Sequence, residues 1–182
     1  MSQSTEKEKR TMCIFTIVTY NKLIKLRNRV DNAWAQIDVQ LKKRFDLVPN
    51  LVETVKGYAS HEKEVLTKVT QARASVGSAK TQEEAIQANK ELSGALARLL
   101  VVAERYPELK ADSHFLSLQK SLSELENKIA FARQFYNDTV MNYNQKRELF
   151  PSNIIASIFK FKEKPYFQID EASREAPKVS FA

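Results

Sequence analysis

The sequence predicts an all-α protein, an antiparallel up-and-down four-helix bundle with long helices and an extended C-terminal tail. The 182 residues include only 3 Gly and 5 Pro, so helices can run far without a break. Apolar residues recur at alternating spacings of three and four from Leu23 to Val76, which indicates a helix with one buried stripe. A second such stripe runs from Phe115 to Tyr143.

Pro49 interrupts the first stripe. Proline removes one helical hydrogen bond and disfavours helix at the residue before it, so the run is either one kinked helix or two helices joined near Asp46–Asn50. A single helix would leave the stripe around Trp34 beyond the shorter third helix, at a cost of about 25 cal/mol per Å² exposed. We therefore predict a chain reversal there, with residues 17–45 and 52–76 antiparallel.

Trp34 is the largest apolar side chain of this first stripe. We predict that it is a core anchor, mostly buried and with its indole N–H hydrogen-bonded.

The third helix has a clear start signal. Thr81 followed by Glu84 matches a capping box, and Tyr106-Pro107 ends the helix after about Arg105.

The fourth helix begins near Ser113 and ends before Pro151. Residues 153–159 are expected to add one or two helical turns, and the chain past Lys160 to be an extended tail. The predicted divisions are a basic N-terminal segment with a short apolar patch at 1–16, the bundle at 17–150, and a short helix with tail at 151–182.

The net charge of +7 is concentrated at one end. Residues 1–30 hold seven Lys/Arg against two Glu, whereas residues 31–140 hold fifteen of each sign. A nucleic-acid-binding protein more often carries a basic stripe along its body, so no nucleic-acid partner is expected.

An uncharged stretch, Thr11–Asn21, lies between basic clusters. Its eleven residues cover about 16 Å, roughly half a bilayer core. It is therefore an interfacial anchor, part of a longer membrane helix, or the first turns of a soluble helix. Basic residues after the stretch favour a cytoplasmic body, but Lys7, Lys9 and Arg10 on its other flank oppose that orientation.

In an up-and-down bundle, the end of the fourth helix returns to the start of the first. Aromatic and basic residues would then share one end, which is typical of a membrane interface. The membrane-proximal candidates are Tyr20, Lys22, Lys25, Arg27, Arg29, Tyr143 and Phe150.

Charged residues flank both stripes at seven-residue spacing and predict a structural polar seam of Asp31, Asp38, Glu126 and Arg133. With Tyr20 level with Tyr143, Asp31 would form a partly buried salt bridge with Arg133. A ligand site at these residues is the alternative.

Motifs for catalysis or metal binding are missing from the sequence. There is no Glu-x-x-His pair for a di-metal site, and His61 and His114 lie near helix ends. Cys13 has no neighbouring His, and three scattered glycines cannot form a phosphate loop. We expect no catalytic residue, no metal and no cofactor.

Several long motifs resemble the LemA family. They are the blocks Tyr20–Leu41 and Pro49–Tyr58, His61-Glu62, Glu104–Ala111, Glu126-Asn127, Ala132-Arg133, Tyr136-Asn137 and Phe150–Asn153. The resemblance covers roughly residues 18–182 and implies a bacterial envelope protein with an N-terminal membrane helix, a helical bundle and no assigned enzymatic activity. The sequence departs from that pattern at the N-terminus, where a full span is expected and a short apolar stretch stands.

The expected function is a non-catalytic, membrane-associated helical scaffold of the bacterial envelope that presents its faces to a protein partner. The alternative is a binding module for a peptide or small ligand between bundle helices, with an enzyme third. The partner stays unidentified, and a homo-oligomer stays open.

Overall fold

The computed structural model describes the backbone of residues 2–167 and the side chains of that range apart from residues 2–5, 8 and 9. The all-α prediction is confirmed. The helices are α1 (Ser2–Tyr58), α2 (Lys63–Ser78), α3 (Gln82–Ala103), α4 (Pro107–Ala111), α5 (Ser113–Glu148) and α6 (Ser152–Ile158). Residues 160–167, here called the strap, follow α6 without helix. The rest of the predicted tail, 168–182, lies outside the described residues.

The predicted chain reversal at Pro49 is wrong. α1 is one helix of 57 residues that contains Pro49, and the chain turns at residues 59–62 instead. A proline at position 49 cannot donate to the carbonyl of Phe45, four residues back. The Nε of Arg73 on α2 donates to that carbonyl at 3.1 Å, so the acceptor left free by the proline is satisfied from another helix.

Arg73 also contacts the aromatic ring of Phe45. Its guanidinium lies 4.0 Å from the centroid of the Phe45 ring, and the ammonium of Lys42 lies 4.8 Å from it. α2 therefore covers the interruption in α1 with a hydrogen bond and a cation–π contact, each of which stabilises the uninterrupted helix.

α1 and α5 are antiparallel neighbours with a constant register. Tyr58 Oη donates to Asp112 at 2.9 Å, and the rings of Trp34 and Tyr136 are 5.6 Å apart. The 24-residue step from Tyr58 to Trp34 on α1 is thus matched by an equal step from Asp112 to Tyr136 on α5. The predicted register, with Tyr20 level with Tyr143, is wrong by seven residues, because Tyr143 is level with residue 27.

The core has two parts along this helix pair. In the first, the C-terminal part of α1 and the start of α5 pack with the α2–α3 hairpin, so four helices share a core. Its fully buried side chains include Val48, Leu51, Val55, Val69, Leu92 and Leu99. In the second, α1 and α5 pack with α6 and the strap around Leu23, Val30, Ile37, Tyr136 and Tyr143. The predicted bundle of four long helices is not found among the described residues, because α2 and α3 have only 16 and 22 residues.

The stripe around Trp34 is covered by elements other than the predicted second helix. Tyr136 of α5 lies on one side of the indole and Phe167 of the strap lies on another, with a ring distance of 6.4 Å. Trp34 is partly buried and packs on the second core. Its indole N–H has no hydrogen bond among the described residues, so the predicted pairing of that N–H is wrong.

The local start and stop signals are found where the sequence places them. Thr81 Oγ1 accepts from the N–H of Glu84 at 3.1 Å, and the Glu84 carboxylate accepts from the N–H of Thr81 at 3.3 Å, which confirms the capping box. Asp112 caps α5 by accepting from the N–H of Phe115 at 2.8 Å.

The Arg73 bond gives a direct test of how α1 passes Pro49. Arg73→Met should lower the free energy of unfolding by about 2 kcal/mol, as expected for a hydrogen bond to a charged donor. In a Pro49→Ala background, the N–H of the alanine donates to Phe45, so the same substitution should cost about 1 kcal/mol less. Urea unfolding of the double-mutant cycle measures this coupling, and an equal cost in both backgrounds would contradict the interpretation.

The contribution of Tyr136 to the stability of the fold depends on pH. Its Oη donates to the carbonyl of Pro165 at 2.8 Å, and burial, with the nearby carboxylates of Glu83 and Asp31, raises the pKa of Tyr136 from 10.0 to about 12. The fold needs the neutral phenol, so the stability that it contributes is complete below pH 10 and is lost as the pH rises through about 12.

Urea unfolding at about pH 9 and about pH 11.5 tests this linkage. Wild type should lose more stability over that interval than Tyr136→Phe, which has no proton to lose. A constant difference between the two proteins at both pH values would show that the phenol does not contribute in this way.

Candidate membrane-interaction site

The first turns of α1 extend beyond the rest of the molecule. Equal steps along the two helices place the end of α5, Glu148, level with Lys22, so the helix before that residue has no partner in α5. Residues 11–18, here called the arm, are apolar on nearly every side of the helix. Exposure reaches 73% at Met12 and 60% at Ile14, and Phe15, Ile17 and Val18 are exposed as well. A helix that is apolar all round is usually buried in a protein core or in lipid.

A second apolar surface lies beside the base of the arm. Phe159, at the end of α6, packs on Tyr20 with a ring distance of 4.7 Å, which places α6 at this end of the molecule. Phe150 is 78% exposed. The exposed apolar side chains of this surface, here called the collar, are Leu149, Phe150, Ile154, Ile158 and Phe159.

Basic side chains follow the arm directly. Lys22, Lys25 and Arg29 are exposed, and the guanidinium of Arg27 lies 5.6 Å from the centroid of the Phe161 ring. Tyr20 and Lys22 therefore lie at the base of the arm beside the collar, and the cations at 25, 27 and 29 follow along the next two turns of α1. Tyr143 does not join them at the surface, because it is buried and its Oη donates to the carbonyl of Lys162 at 2.7 Å.

The charges predicted to form one polar seam do not pair with each other. Asp31 accepts from the ammonium of Lys164 in the strap at 2.8 Å. The guanidinium of Arg133 lies 5.2 Å from the Phe167 ring centroid, and burial lowers the pKa of Arg133. The predicted Asp31–Arg133 salt bridge is wrong because the true register is one heptad away. Asp38 is exposed.

Glu126 instead pairs with a residue that the sequence analysis missed. Arg44 on α1 is 1% exposed, and its Nη1 lies 2.8 Å from the Glu126 carboxylate and 2.7 Å from Ser93 Oγ. Its Nη2 donates to the side-chain and backbone oxygens of Asn89 at 2.8 and 3.1 Å. The signal was present in the sequence, since Arg44 stands seven residues after Ile37 and seven before Leu51 in the series of buried positions.

This cluster lies between the two parts of the core and joins three helices. A buried cation is tolerated when it is paired and its donors are satisfied. Four hydrogen bonds satisfy the Nη1 and Nη2 of Arg44, while its Nε has no partner. The arrangement stabilises the observed register of α1 against α5.

Open grooves elsewhere on the molecule are lined by both apolar and polar side chains. An open groove of about 570 Å³ runs between α2 and α3, lined by Ala72, Gly94 and Ala95 with Lys68 and Arg98 at its edges. Among the described residues, no group of His, Cys, Asp or Glu is placed to hold a metal ion. Within residues 2–167, no helix has the length and apolar content to cross a bilayer.

The fold and its exposed arm define a class of all-α proteins with one long helix that extends beyond a bundle. The sequence profile of the LemA family matches residues 33–181, and the chain belongs to that family.

Relatives with assigned names are similar over most of this chain. Protein LemA of Metamycoplasma hominis is 25% identical in an alignment that covers 85% of this chain and 71% of that protein. Magnetosome protein MamQ 2 of Paramagnetospirillum magneticum is 25% identical, covering 84% of this chain and 65% of that protein. Magnetosome protein MamQ of Magnetospirillum gryphiswaldense is 22% identical, with 83% and 65% covered.

The Arg44 cluster predicts that Glu126 stabilises the fold more than a neighbouring glutamate of α5 does. Glu126→Gln should lower the free energy of unfolding by about 2 kcal/mol, below the range of about 3–5 kcal/mol for a fully buried pair, because Glu126 is 40% exposed. Glu124→Gln, two residues earlier on the exposed side of the same helix, serves as the control. Equal unfolding free energies for the two variants in urea would rule out a stabilising role for the pair.

Proposed function

We propose that this protein is a non-catalytic, membrane-associated helical scaffold of the bacterial cell envelope, and that the arm and collar are its membrane contact. The exposed arm carries this proposal. Its apolar side chains point in all directions around the helix, so no single protein face could cover them, whereas the acyl region of a bilayer could.

The neighbouring charges support the same contact. Lys22 and Lys25 are exposed within about 10 Å of the arm along α1, close to the level at which a lipid headgroup would lie, and Arg29 is exposed one turn further on. Each Lys or Arg near an anionic surface contributes about 1 kcal/mol of binding. Tyr20 and Phe159 add aromatic rings at that level, as is common at membrane interfaces. The family resemblance and the magnetosome proteins among the relatives agree with an envelope role.

Binding to vesicles tests the arm. The double variant Ile14→Asp/Ile17→Asp should abolish flotation of the full chain with anionic vesicles, because charge cannot enter the acyl region. Both positions are exposed, so the fold should be unaffected. The matched control is Val101→Asp, an equally exposed apolar position on α3, which should float like wild type. Equal flotation of both variants would contradict the proposal.

The basic residues give a second, independent prediction. Lys22→Gln/Lys25→Gln should weaken the partition onto anionic vesicles by roughly thirtyfold, which corresponds to about 1 kcal/mol for each cation. Partition onto neutral vesicles should not change, and added salt should remove the difference between wild type and variant. Titration of liposomes with labelled protein measures this, and an identical loss on neutral vesicles would show that charge is not the cause.

A further inference from the structure

The strap lies against a regular pattern of side chains on α5. Two Tyr-Asn pairs, Tyr136-Asn137 and Tyr143-Asn144, are seven residues apart and both contact the strap backbone. The two phenols donate to the carbonyls of Pro165 and Lys162, at 2.8 and 2.7 Å.

Each asparagine pairs with the backbone of one strap residue as a neighbouring strand would. Asn144 donates to the carbonyl of Lys164 at 2.9 Å and accepts from its N–H at 3.1 Å. Asn137 donates to the carbonyl of Phe167 at 3.1 Å and accepts from its N–H at 2.8 Å.

The spacing of the pattern matches an extended chain. Seven residues of helix rise about 10.5 Å, and three residues of extended backbone rise about 9–10 Å. Contacts repeated every seven residues on α5 can therefore be met every three residues on the strap, as is seen at residues 164 and 167. Six side-chain bonds recognise main-chain atoms, so they do not depend on which side chains the bound segment carries.

The groove contacts the side chain of every third strap residue, and these contacts make it selective. Phe161 and Phe167 are buried, the first against Tyr20 and the second against Trp34. Between them Lys164 reaches Asp31, the carboxylate on α1. The groove between α1 and α5 thus selects an aromatic residue, a cation and an aromatic residue, each three positions apart. The intervening Lys162 and Glu163 are exposed, and the Glu163 carboxylate lies 3.1 Å from the guanidinium of Arg147 on α5.

We propose that this groove is a receptor for an extended segment of a different protein chain with that aromatic–cation–aromatic pattern, and that the strap is its intramolecular competitor. The negative charge of Asp31 and the two aromatic sites define the partner's chemistry. Residues 162–167 can leave α5 without unfolding α6, because they lie past the hydrogen bond from the N–H of Phe161 to Ala156 that caps this helix. Lys160, with a φ of 55°, is the left-handed residue that ends α6, and the N–H of Phe161 donates to the carbonyl of Ala156 at 2.9 Å.

The competition sets the expected affinity. A segment in trans binds only the fraction of molecules whose strap is detached, and its apparent dissociation constant is the intrinsic constant divided by that fraction. Weakening the strap without altering the groove should therefore tighten binding in trans. Weakening the groove should abolish it.

The experiment uses the full chain and a fluorescent synthetic peptide with the sequence of residues 160–167, followed by anisotropy. Lys164→Glu in the strap, alone and with Phe167→Ala, should tighten peptide binding by about tenfold or more over wild type. Lys162→Glu, an exposed strap position, is the matched control and should stay within about twofold. Adding Asn137→Ala/Asn144→Ala to the strap variant should return binding to the wild-type level or below.

A second readout is the emission of Trp34, the single tryptophan, which lies against Phe167. It should shift when the strap is weakened and return when the peptide is added. A folded Lys164→Glu chain that binds peptide no tighter than wild type would overturn the proposal. So would sedimentation showing a dimer that free peptide dissociates, because a second copy would then be the occupant.

Discussion

The hydrogen bond from Arg73 to the carbonyl of Phe45 is the interaction on which the rest of the structure depends. It satisfies the acceptor that Pro49 leaves free, so α1 continues for 57 residues instead of turning back. A continuous α1 gives α5 a partner along its whole length. The α2–α3 hairpin then packs on the C-terminal part of that pair only. The remaining part is left for α6 and the strap, and the arm is left without a partner.

Local signals in the sequence predicted local structure well. The capping box at Thr81, the start of α5 at Ser113 and the turns after Pro151 each depend on residues within about one helical turn. The path through Pro49 could not be predicted in that way, because its compensating donor lies 28 residues away along the chain. Coverage of the Trp34 stripe was missed for a similar reason, since Phe167 lies far from it in sequence.

The register of α1 against α5 was also predicted wrongly, because the apolar pattern of both helices repeats every seven residues. A heptad stripe can slide by seven residues and still bury apolar side chains, so the apolar pattern alone does not choose between registers. The buried charges do. Sliding to the predicted register would place Arg44 opposite Gln119 and Glu126 opposite Ile37, which leaves a buried cation without its carboxylate. Sliding the other way would bring Arg44 level with Arg133. The observed register is the one of these three in which Arg44 has an opposite charge to pair with.

A rod of fixed length also sets a distance. From Val18, at the end of the arm, to Tyr58, at the end of α1, forty residues of helix span about 60 Å. With the arm held at a bilayer, the turn between α1 and α2 stands at about that height above the lipid, and no flexible linker intervenes to change it. A small tilt of the arm would sweep this far end sideways by several ångströms. With the proposed membrane contact, the long helix would act as a spacer and a lever, and partners at its two ends would be kept apart by the length of one secondary-structure element.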